Sequence, residues 1–366
     1  MTAGAPVAVH QFVPALNPHD ATGTHTLLVR EALRAAGWRS EIFAEAIHDD
    51  LASTAHKHWA YPEHASAGDV AIYQFTTSSP VAGYLAEQGL PLILDFHNVT
   101  GPAFFAGWEP ETQERAAKAD EELALLAPKA LLGLAKSAFS ERALRAAGCH
   151  HTAVVPVLAD YGRITAAPDP IVAAELTHRA EAGGADILFV GRVVPSKAQH
   201  ELVKVLWTYR RLYDPAARLH LVGGTSSFGY QKAVQGFVHD LGLGHAVRMT
   251  GEVSDASLAA HYDAADVFLS LSAHAGFGVP LVESMAAGVP VVARPAGAVT
   301  ETVGGAALVL EAADPAYVAA AVHRACTDAR LRAALIEAGR RRAASLSDGA
   351  ASRAFVDAVA KVVRRP

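Results

Sequence analysis

The chain has little cysteine and no long apolar run, and both shortages limit what it can be. Its two cysteines, Cys149 and Cys326, lie far apart and outside any metal-ligand spacing, which predicts a protein of a reducing cytoplasm and no disulfide scaffold. No stretch approaches about 20 consecutive apolar residues, so no transmembrane segment is expected. The first residues lack a basic segment followed by a long apolar run, so no signal peptide is expected and a cytoplasmic location is predicted.

An excess of positive charge and several well-known motifs are also absent. The formal net charge is −6, which argues against a general nucleic-acid-binding surface. The histidines are scattered without a His-x-x-x-His pair, and no Asp-x-Asp motif ends a predicted strand, so no metal site is expected. No Gly-x-Gly-x-x-Gly follows the first predicted strand, which disfavours an NAD-dependent oxidoreductase.

What the sequence does contain is a long alternation of predicted strands and helices. With 366 residues, 51% of them apolar and 19% charged, the chain fits two globular domains that each bury a core. The first half predicts a parallel, doubly wound sheet, because its strands alternate with helices. The predicted strands are residues 7–13, 38–43, 69–75, 91–95, 130–134 and 152–156, and the predicted helices are residues 24–36, 111–126 and 137–147.

The second half restarts the same alternation after a stretch of different composition. Residues 160–184 are rich in Pro, Ala and charge, which predicts a link between domains. Strands are predicted at 186–191, 218–224, 247–251, 267–272 and 289–293, and helices at 199–212, 257–264, 314–325, 331–346 and 352–363. We therefore predict an α/β fold of two Rossmann-like, doubly wound domains facing a central cleft, residues 1–160 and residues 161–346. Residues 347–366 are expected to form a helix that packs back on the first domain.

A glycine loop in the second half carries the first functional signal. Gly276 and Gly278 separate a predicted buried strand from a predicted helix that contains Glu283. The glycines let the backbone approach a ligand closely, and the start of a helix presents unpaired N–H groups. This combination suits an anionic group such as a diphosphate, and Glu283 is placed to reach a second polar group of the same ligand.

Two basic residues follow the first predicted strand of the same half. Arg192 and Lys197 lie within Gly-Arg-Val-Val-Pro-Ser-Lys, residues 191–197, at the carboxyl edge of the predicted sheet. Open α/β sheets bind ligands at that edge, and a guanidinium with an ammonium is a natural pair around phosphate oxygens. A second glycine loop, residues 223–227, strengthens the prediction of a phosphate site.

The order of these blocks resembles the retaining glycosyltransferases of the GT-B fold, family 4 type, also called group 1 glycosyl transferases. The resemblance covers nearly the whole chain. It rests on residues 191–197, 221–224, 251–255 with Leu258 and Tyr262, 265–272, 276–283 and 288–292. It implies transfer of a sugar from a nucleotide-diphosphate sugar to an acceptor hydroxyl, with no cofactor and no essential divalent metal.

The resemblance also implies roles for individual residues. Arg192 and Lys197 are expected to hold the donor diphosphate and to neutralise the leaving group, as catalytic residues. Glu283 is expected to hydrogen-bond the nucleotide ribose, and residues 251–253 to meet the base. The other expected donor-binding residues are Gly191, Gly223, Gly224, Val253, His274, Ala275, Gly276, Phe277 and Gly278.

The chain departs from the family pattern at Ala275. The family carries a glutamate there, eight residues before the one that corresponds to Glu283, and this acid contacts hydroxyls of the transferred sugar. A hydrogen bond to a charged group is worth about 1.5–3 kcal/mol, so its loss corresponds to roughly ten- to a hundredfold or more in donor use. Three interpretations stay open: a naturally different donor pocket, compensation by His274, and a weakened or altered enzyme.

The first domain is expected to hold the acceptor. Gly23 and His25 lie where the first predicted strand joins its helix, and Asn98 follows the fourth strand, so we predict acceptor contacts at these residues. His97 ends the fourth strand. By resemblance it is expected to lie close to the transferred sugar, where it hydrogen-bonds the sugar or stabilises charge.

Lys136 and Ser137 follow the next strand of the first domain, and two interpretations of them stay open. They face the cleft, or they are a solvated lysine and a helix cap.

For related transferases the favoured mechanism is front-face substitution, in which the departing diphosphate helps to deprotonate the acceptor hydroxyl. The protein then supplies orientation and charge stabilisation, and domain closure excludes water. Alternatives are a non-catalytic nucleotide-sugar-binding protein and a nucleotide-sugar epimerase or phosphorylase relative with the same fold. The donor base and sugar, the oligomeric state, peripheral membrane contact and the class of acceptor (carbohydrate, lipid or small molecule) are left open.

Overall fold

The computed structural model describes residues 8–18, 20–181 and 183–363. The chain divides into two compact units, and each is described by itself. Unit 1 takes in Met1–Ala103, Glu111–Asp160 and Ser347–Pro366, and unit 2 takes in Phe104–Pro110 and Tyr161–Leu346. A short piece from the first half of the chain, Phe104–Pro110, thus belongs to unit 2, where the Trp108 ring lies edge-on to the Tyr230 ring at 5.3 Å.

Unit 1 is built on a seven-stranded parallel sheet in the order β3-β2-β1-β4-β5-β6-β7. Its strands are β1 (Val9–Leu16), β2 (Ile42–Ile47), β3 (His56–Lys57), β4 (Val70–Phe75), β5 (Leu92–Phe96), β6 (Leu132–Ala135) and β7 (Thr152–Val154). Its helices include α1 (Ala21–Ala35), α2 (Pro80–Gln88), α3 (Pro110–Leu126) and α4 (Ala138–Ala146). The central strands are buried on both faces, which explains their nearly continuous apolar sequence.

Unit 2 is built on a six-stranded parallel sheet in the order β10-β9-β8-β11-β12-β13. Its helices are α5 (Pro170–Glu181), α6 (Gln199–Leu212), α7 (Phe228–Asp240), α8 (Asp255–Ala264), α9 (Val279–Ala287), α10 (Val299–Val303), α11 (Pro315–Thr327) and α12 (Ala329–Ser345). Its strands are β8 (Asp186–Val190), β9 (Arg218–Val222), β10 (Val247–Gly251), β11 (Val267–Ser270), β12 (Val291–Ala293) and β13 (Leu308–Val309). The predicted fold class, two parallel α/β domains with helices, is confirmed.

The last helix, α13 (Asp348–Val359), belongs to unit 1 and packs on α1. Its buried residues Ala351, Phe355 and Val359 recur every four positions and form one apolar face. This face joins the core of unit 1 around Val29 and Leu33 of α1.

The structure differs from the predicted elements at several places. The stretch predicted as a link contains helix α5, which begins at Pro170 after the Asp169 side chain accepts hydrogen bonds from Ile171 and Val172 N–H. The strand predicted at 38–43 is displaced to Ile42–Ile47, because its ladder with β1 continues through the less apolar residues 44–46. The two-residue edge strands β3 and β13 carry no periodic pattern. The first predicted strand begins at Val7, which lies outside the described residues. In the described part of the chain, no helix has the length and apolar character needed to cross a membrane.

Candidate functional site

The strongest candidate site lies at the carboxyl edge of the unit 2 sheet. There β8 and β11 are neighbours, although β9 and β10 lie between them in the chain. Such a switch in strand order opens a crevice at the carboxyl ends of the two strands, where ligands bind in open α/β sheets. Strand β8 leads into the loop with Arg192 and Lys197, and β11 leads into the glycine loop before α9. Most of the predicted donor-binding residues are therefore brought to one edge.

Three glycines hold the loops of this edge together through their backbones. Gly191 N–H donates to Val222 O at 2.8 Å, and Gly223 N–H donates to Gly251 O at 3.0 Å. Gly223 has a φ of 140°, and a Cβ placed on it would lie 2.4 Å from Gly191 O, so only glycine fits. The loops after β8, β9 and β10 are thus joined to one another through their backbones.

Arg192 and Lys197 supply positive charge that the protein does not neutralise. The Lys197 Nζ atom donates to the backbone oxygen of His274 at 3.3 Å, which ties the first loop to the glycine loop. Burial and the neighbouring charge of Arg192 lower the pKa of Lys197 to about 8. Neither cation forms an ion pair with any residue that the structure describes. Two like charges held close together without a carboxylate partner favour a bound anion.

The glycine loop turns its carbonyl oxygens into the protein. Ala298 N–H donates to Ala275 O at 2.9 Å, and the Thr302 hydroxyl donates to Phe277 O at 2.6 Å. Gly278, at φ 94°, is the N-cap residue of α9. Two oxygens that would repel a phosphate are therefore engaged elsewhere, and the start of a helix lies beside them.

Ala275 and His274 decide which sugar contacts this loop offers. The Ala275 methyl group is buried, with 5% of the residue exposed, so no side chain here offers an acceptor to a sugar hydroxyl. Burial, together with the charge of Lys197, lowers the pKa of His274 to about 4. The His274 ring is consequently neutral near pH 7. It offers a hydrogen bond but not the negative charge of the family's glutamate.

Glu283 lies in α9 and is already engaged by two protein groups. Its Oε1 accepts from the Arg163 guanidinium at 2.7 Å, and its Oε2 accepts from the Tyr262 hydroxyl at 2.9 Å. Arg163 also contacts Asp255 at 3.0 Å. Arg163 was not predicted, because it stands in an irregular stretch of mixed composition without a motif. A ligand hydroxyl that binds Glu283 must share or displace these donors.

Val253 and Gly224 occupy the neighbouring loops of the same edge. Val253 is half-buried between β10 and α8, whose N-terminus is capped by Ser254. Gly224 O accepts from Val193 N–H at 2.8 Å, and the exposed Glu252 lies close to Gly224.

In unit 1, His97 follows β5 and is half-buried. Its Nε2 lies 2.7 Å from Gln74 Oε1. Burial, with Lys136 and His25 as further causes, holds the pKa of His97 well below its usual value despite nearby Asp95. The ring is therefore neutral near pH 7, which favours hydrogen bonding over charge stabilisation as its chemistry.

His25 and Lys136 lie inside unit 1, away from solvent. The His25 ring is fully buried, accepts from Leu158 N–H at 2.9 Å through Nδ1, and lies 2.8 Å from Asp95 Oδ2 through Nε2. Lys136 is also buried and forms an ion pair with Asp95. The interpretation of Lys136 as solvated is wrong, and the predicted acceptor contact of the His25 side chain does not fit its burial.

This cluster has the spacing of a metal site but is centred on a lysine. Ligand atoms of His25, Asp95 and His97 lie within 4.8 Å of one another. However, the Lys136 ammonium contacts Asp95 and lies 3.1 Å from His25 Nε2, so a cationic group already occupies this place. The residues present fit a buried ion pair better than a metal, and independence from metals stays a prediction.

Gly23 and Asn98 have structural roles that were not predicted. Gly23 lies within α1, and a Cβ placed on it would be 1.7 Å from Asn17 O. The lack of a side chain at Gly23 therefore lets the backbone of Asn17 pack closely against α1. Asn98 has a φ of 72° and donates from Nδ2 to the Ser140 hydroxyl at 3.2 Å. Ser137 caps α4.

The backbone is strained beside two predicted catalytic residues. Among the described residues, Asn98 and Ala198 alone combine a side chain with a positive φ. They directly follow His97 and Lys197. Left-handed residues other than glycine cost about 1–2 kcal/mol and concentrate at functional sites.

Comparison with known proteins agrees with this geometry. Residues 177–342, within unit 2, match the family model described as glycosyl transferases group 1. The GDP-mannose-dependent alpha-(1-6)-phosphatidylinositol monomannoside mannosyltransferase of Mycobacterium tuberculosis is 38% identical over 144 residues, 37% of this chain and 36% of that protein. The D-inositol 3-phosphate glycosyltransferase of Geodermatophilus obscurus is 32% identical over 274 residues, 71% of this chain and 59% of that protein. The chain thus covers less than two thirds of either relative.

Among solved structures, Alr3699/HepE of Anabaena in complex with UDP-glucose has a similar fold. Its TM-score is 0.79 at 19% sequence identity, over 96% of this chain and 99% of that chain. At this identity the likeness concerns the fold. Unit 2 therefore matches the group 1 glycosyl transferases over most of its length, and the chain has the fold of GT-B glycosyltransferases.

Proposed function

We propose that the protein is a glycosyltransferase that moves a sugar from a nucleotide-diphosphate sugar to an acceptor hydroxyl. The observation that carries this proposal is the unneutralised pair Arg192 and Lys197 at the switch point of the unit 2 sheet, beside the glycine loop and the start of α9. A diphosphate supplies the negative partner that Arg192 and Lys197 do not find among the described residues. The match of residues 177–342 to group 1 glycosyl transferases supports the same function.

Within this proposal, each part of the edge has a task. Arg192 and Lys197 bind the diphosphate and stabilise the charge that grows on it as the sugar leaves. Glu283 accepts hydrogen bonds from the ribose, and residues 251–253 meet the base. Gly276, Phe277 and Gly278 line the diphosphate and sugar with backbone.

We further propose retention of anomeric configuration by front-face substitution. The leaving diphosphate then takes the proton of the acceptor hydroxyl, so no protein nucleophile is needed, and orientation does most of the work. Positive charge from Arg192 and Lys197 replaces the charge that a divalent metal supplies in other transferases. A cytoplasmic location and independence from metals belong to the same proposal.

A second candidate function is a nucleotide-sugar-binding protein without turnover, and Ala275 favours it. The buried methyl group leaves the transferred sugar without the carboxylate contact of the family, while the cationic pair and Glu283 are present. The two candidates differ in catalysis but not in nucleotide binding.

One experiment separates these candidates. Calorimetric titrations with UDP-glucose and GDP-mannose identify the donor, since the named relatives and solved structure involve both bases. Release of UDP or GDP is then measured with carbohydrate, lipid and inositol-type acceptors. Acceptor-dependent release with a glycosylated product supports the transferase. Tight binding without transfer or hydrolysis supports the binding protein, and absence of any binding contradicts both.

A further inference from the structure

Two buried glutamines connect His97 to the backbone of α1. Gln11 in β1 and Gln74 in β4 lie on neighbouring central strands and are fully buried, although the rest of each strand is largely apolar. Gln11 Nε2 donates to Thr26 O at 3.0 Å, and Gln74 Nε2 donates to Gln11 Oε1 at 2.9 Å. The last contact joins Gln74 Oε1 to His97 Nε2 at 2.7 Å.

The direction of every hydrogen bond in this chain follows from its first member. A backbone carbonyl only accepts, so Thr26 O requires the NH₂ group of Gln11. Gln11 then presents its oxygen to Gln74, which must donate with its own NH₂ group. The oxygen of Gln74 is thereby turned to His97, whose Nε2 has to carry the proton. In a neutral ring the proton on Nε2 leaves Nδ1 with a free lone pair.

The Nδ1 atom of His97 is available to a ligand. It has no hydrogen-bond partner among the residues that the structure describes, and it is not one of the fully buried unpaired atoms. The charged and titratable groups that face the ring are His25, Asp95 and Lys136. Because Asp95 is paired with Lys136, the Asp95 carboxylate does not need a protonated His97 as its partner.

We propose that Gln74 and Gln11 are positioning residues that hold His97 as the Nε2–H tautomer, so that Nδ1 accepts a hydrogen bond from a sugar hydroxyl. The ligand part of this inference rests on the proposed function, whereas the tautomer is a property of unit 1 alone. A hydroxyl that donates to Nδ1 gains electron density on its oxygen and is fixed in direction. A sugar deoxygenated at that position would lose the contact.

Nuclear magnetic resonance of ring-labelled histidines tests the tautomer directly. The protein is labelled with ¹⁵N in its imidazole rings, and long-range ¹H–¹⁵N correlations are recorded, with His97 assigned by its loss in His97→Asn. We expect the Nε2–H pattern for His97, unchanged from pH 6 to pH 8. An Nδ1–H pattern, or titration within that range, would overturn the proposal.

Gln11→Met is the decisive variant, because Gln11 does not touch His97. Removal of its amide frees the side chain of Gln74 to rotate by 180°, so the His97 signals should shift toward a mixture of tautomers. Gln88→Met, at an exposed position in α2, is the matched control and should change nothing. An unchanged His97 tautomer in folded Gln11→Met would refute the relay.

Gln74→Glu keeps the inference testable if Gln11→Met does not fold. It preserves volume but places a carboxylate at His97 Nε2, so His97 should become doubly protonated near pH 6–7. A His97 that stays neutral there would contradict the contact.

Kinetics then separate this inference from the proposed function. With a transferase substrate pair in hand, Gln11→Met should lower kcat about tenfold, the equivalent of one hydrogen bond, and leave the donor KM unchanged. An unchanged kcat would contradict the positioning role. A wild-type protein that shows the Nε2–H tautomer but no transfer would refute the proposed function and leave the tautomer assignment standing.

Discussion

Lys136 and Lys197 both follow a strand of a parallel sheet, yet the charge of each is used differently. Lys136 is buried and paired with Asp95, so its charge is neutralised inside unit 1. Among the described residues, the Lys197 ammonium hydrogen-bonds only to a backbone oxygen, and Arg192 is its charged neighbour. Of the two lysines, Lys197 alone is left to attract an anion.

The lowered pKa of Lys197 predicts that nucleotide binding depends on pH. A diphosphate favours the charged lysine, so binding raises the pKa of Lys197 above about 8 and takes up a proton. Affinity for GDP or UDP should therefore be full below pH 8 and fall up to tenfold per pH unit above it. Calorimetry from pH 6.5 to 9 in two buffers of different ionisation enthalpy measures both effects. Lys197→Arg, which stays charged, should remove the dependence, and a flat wild-type profile would contradict this account.

Ala275→Glu should restore the missing sugar contact. In the proposed transferase, the new carboxylate is expected to raise the transfer rate by about tenfold or more, because a carboxylate at this position accepts hydrogen bonds from sugar hydroxyls in the family that the sequence resembles. Nucleotide affinity should change less, since the diphosphate contacts are untouched. Steady-state rates and UDP or GDP titrations measure the two effects, with Ala275→Gln as the uncharged control. No change in rate would show that this pocket does not depend on the acid.

Residue types and their order predicted much of the unit 2 edge but not its buried connections. The glycine and cationic blocks are local in sequence, so their spacing carries the information. Arg163 reaches Glu283 across 120 residues, and no local pattern marks such a pair. Gln11 and Gln74 did carry a signal, because a polar side chain in an otherwise apolar central strand needs a buried partner. The sequence did not indicate what that partner is.

At the scale of elements, strand ends fix the positions of the reactive groups. The carboxyl ends of β5 and β6 bring Asp95 and Lys136 together, although 41 positions separate them in sequence. Helices and strands with strong periodicity were predicted within a few residues. Helix α5 was missed although the Asp169 cap and Pro170 form a local start signal. The edge strands β3 and β13 were missed because two residues are too few to form a periodic pattern.

The Asp95–Lys136 pair predicts a large loss of stability when one partner is removed. Lys136→Met leaves a buried carboxylate without its cation, which costs about 3–5 kcal/mol. The double variant Asp95→Leu with Lys136→Met should recover most of this loss. Denaturant unfolding measures both, with Lys129→Met at an exposed position as control. A single variant as stable as the control would refute the pair's role.

At the scale of the whole molecule, the two units place their polar groups differently. Unit 1 buries His10, His25 and His58, whose pKa values burial lowers. Unit 2 also buries polar groups, among them Asp186, which pairs with Arg218 and His220. What distinguishes unit 2 is the cationic pair Arg192 and Lys197 at its sheet edge, which lies in the blocks that carry the family resemblance.

Buried neutral histidines predict that unit 1 is destabilised by acid. The unfolded chain binds a proton on His25 near pH 6.5, whereas in the folded unit its pKa is about 4. Stability is therefore full above pH 6.5 and declines as the pH falls toward 4, by about 3 kcal/mol from His25 alone. Urea unfolding at pH 7, 5.5 and 4.5 measures the decline, and His25→Gln should lessen it. Equal declines in wild type and His25→Gln would contradict the prediction.

The central claim is that the cationic edge of unit 2 binds the diphosphate of a nucleotide sugar. Calorimetric titration of UDP and GDP into wild type, Arg192→Ala and the exposed control Arg330→Ala tests it most directly. We predict binding of at least one nucleotide by wild type, unchanged in Arg330→Ala and at least about tenfold weaker in Arg192→Ala, as loss of a charge-assisted contact requires. Equal affinity in Arg192→Ala and wild type, or no binding of either nucleotide, would contradict it.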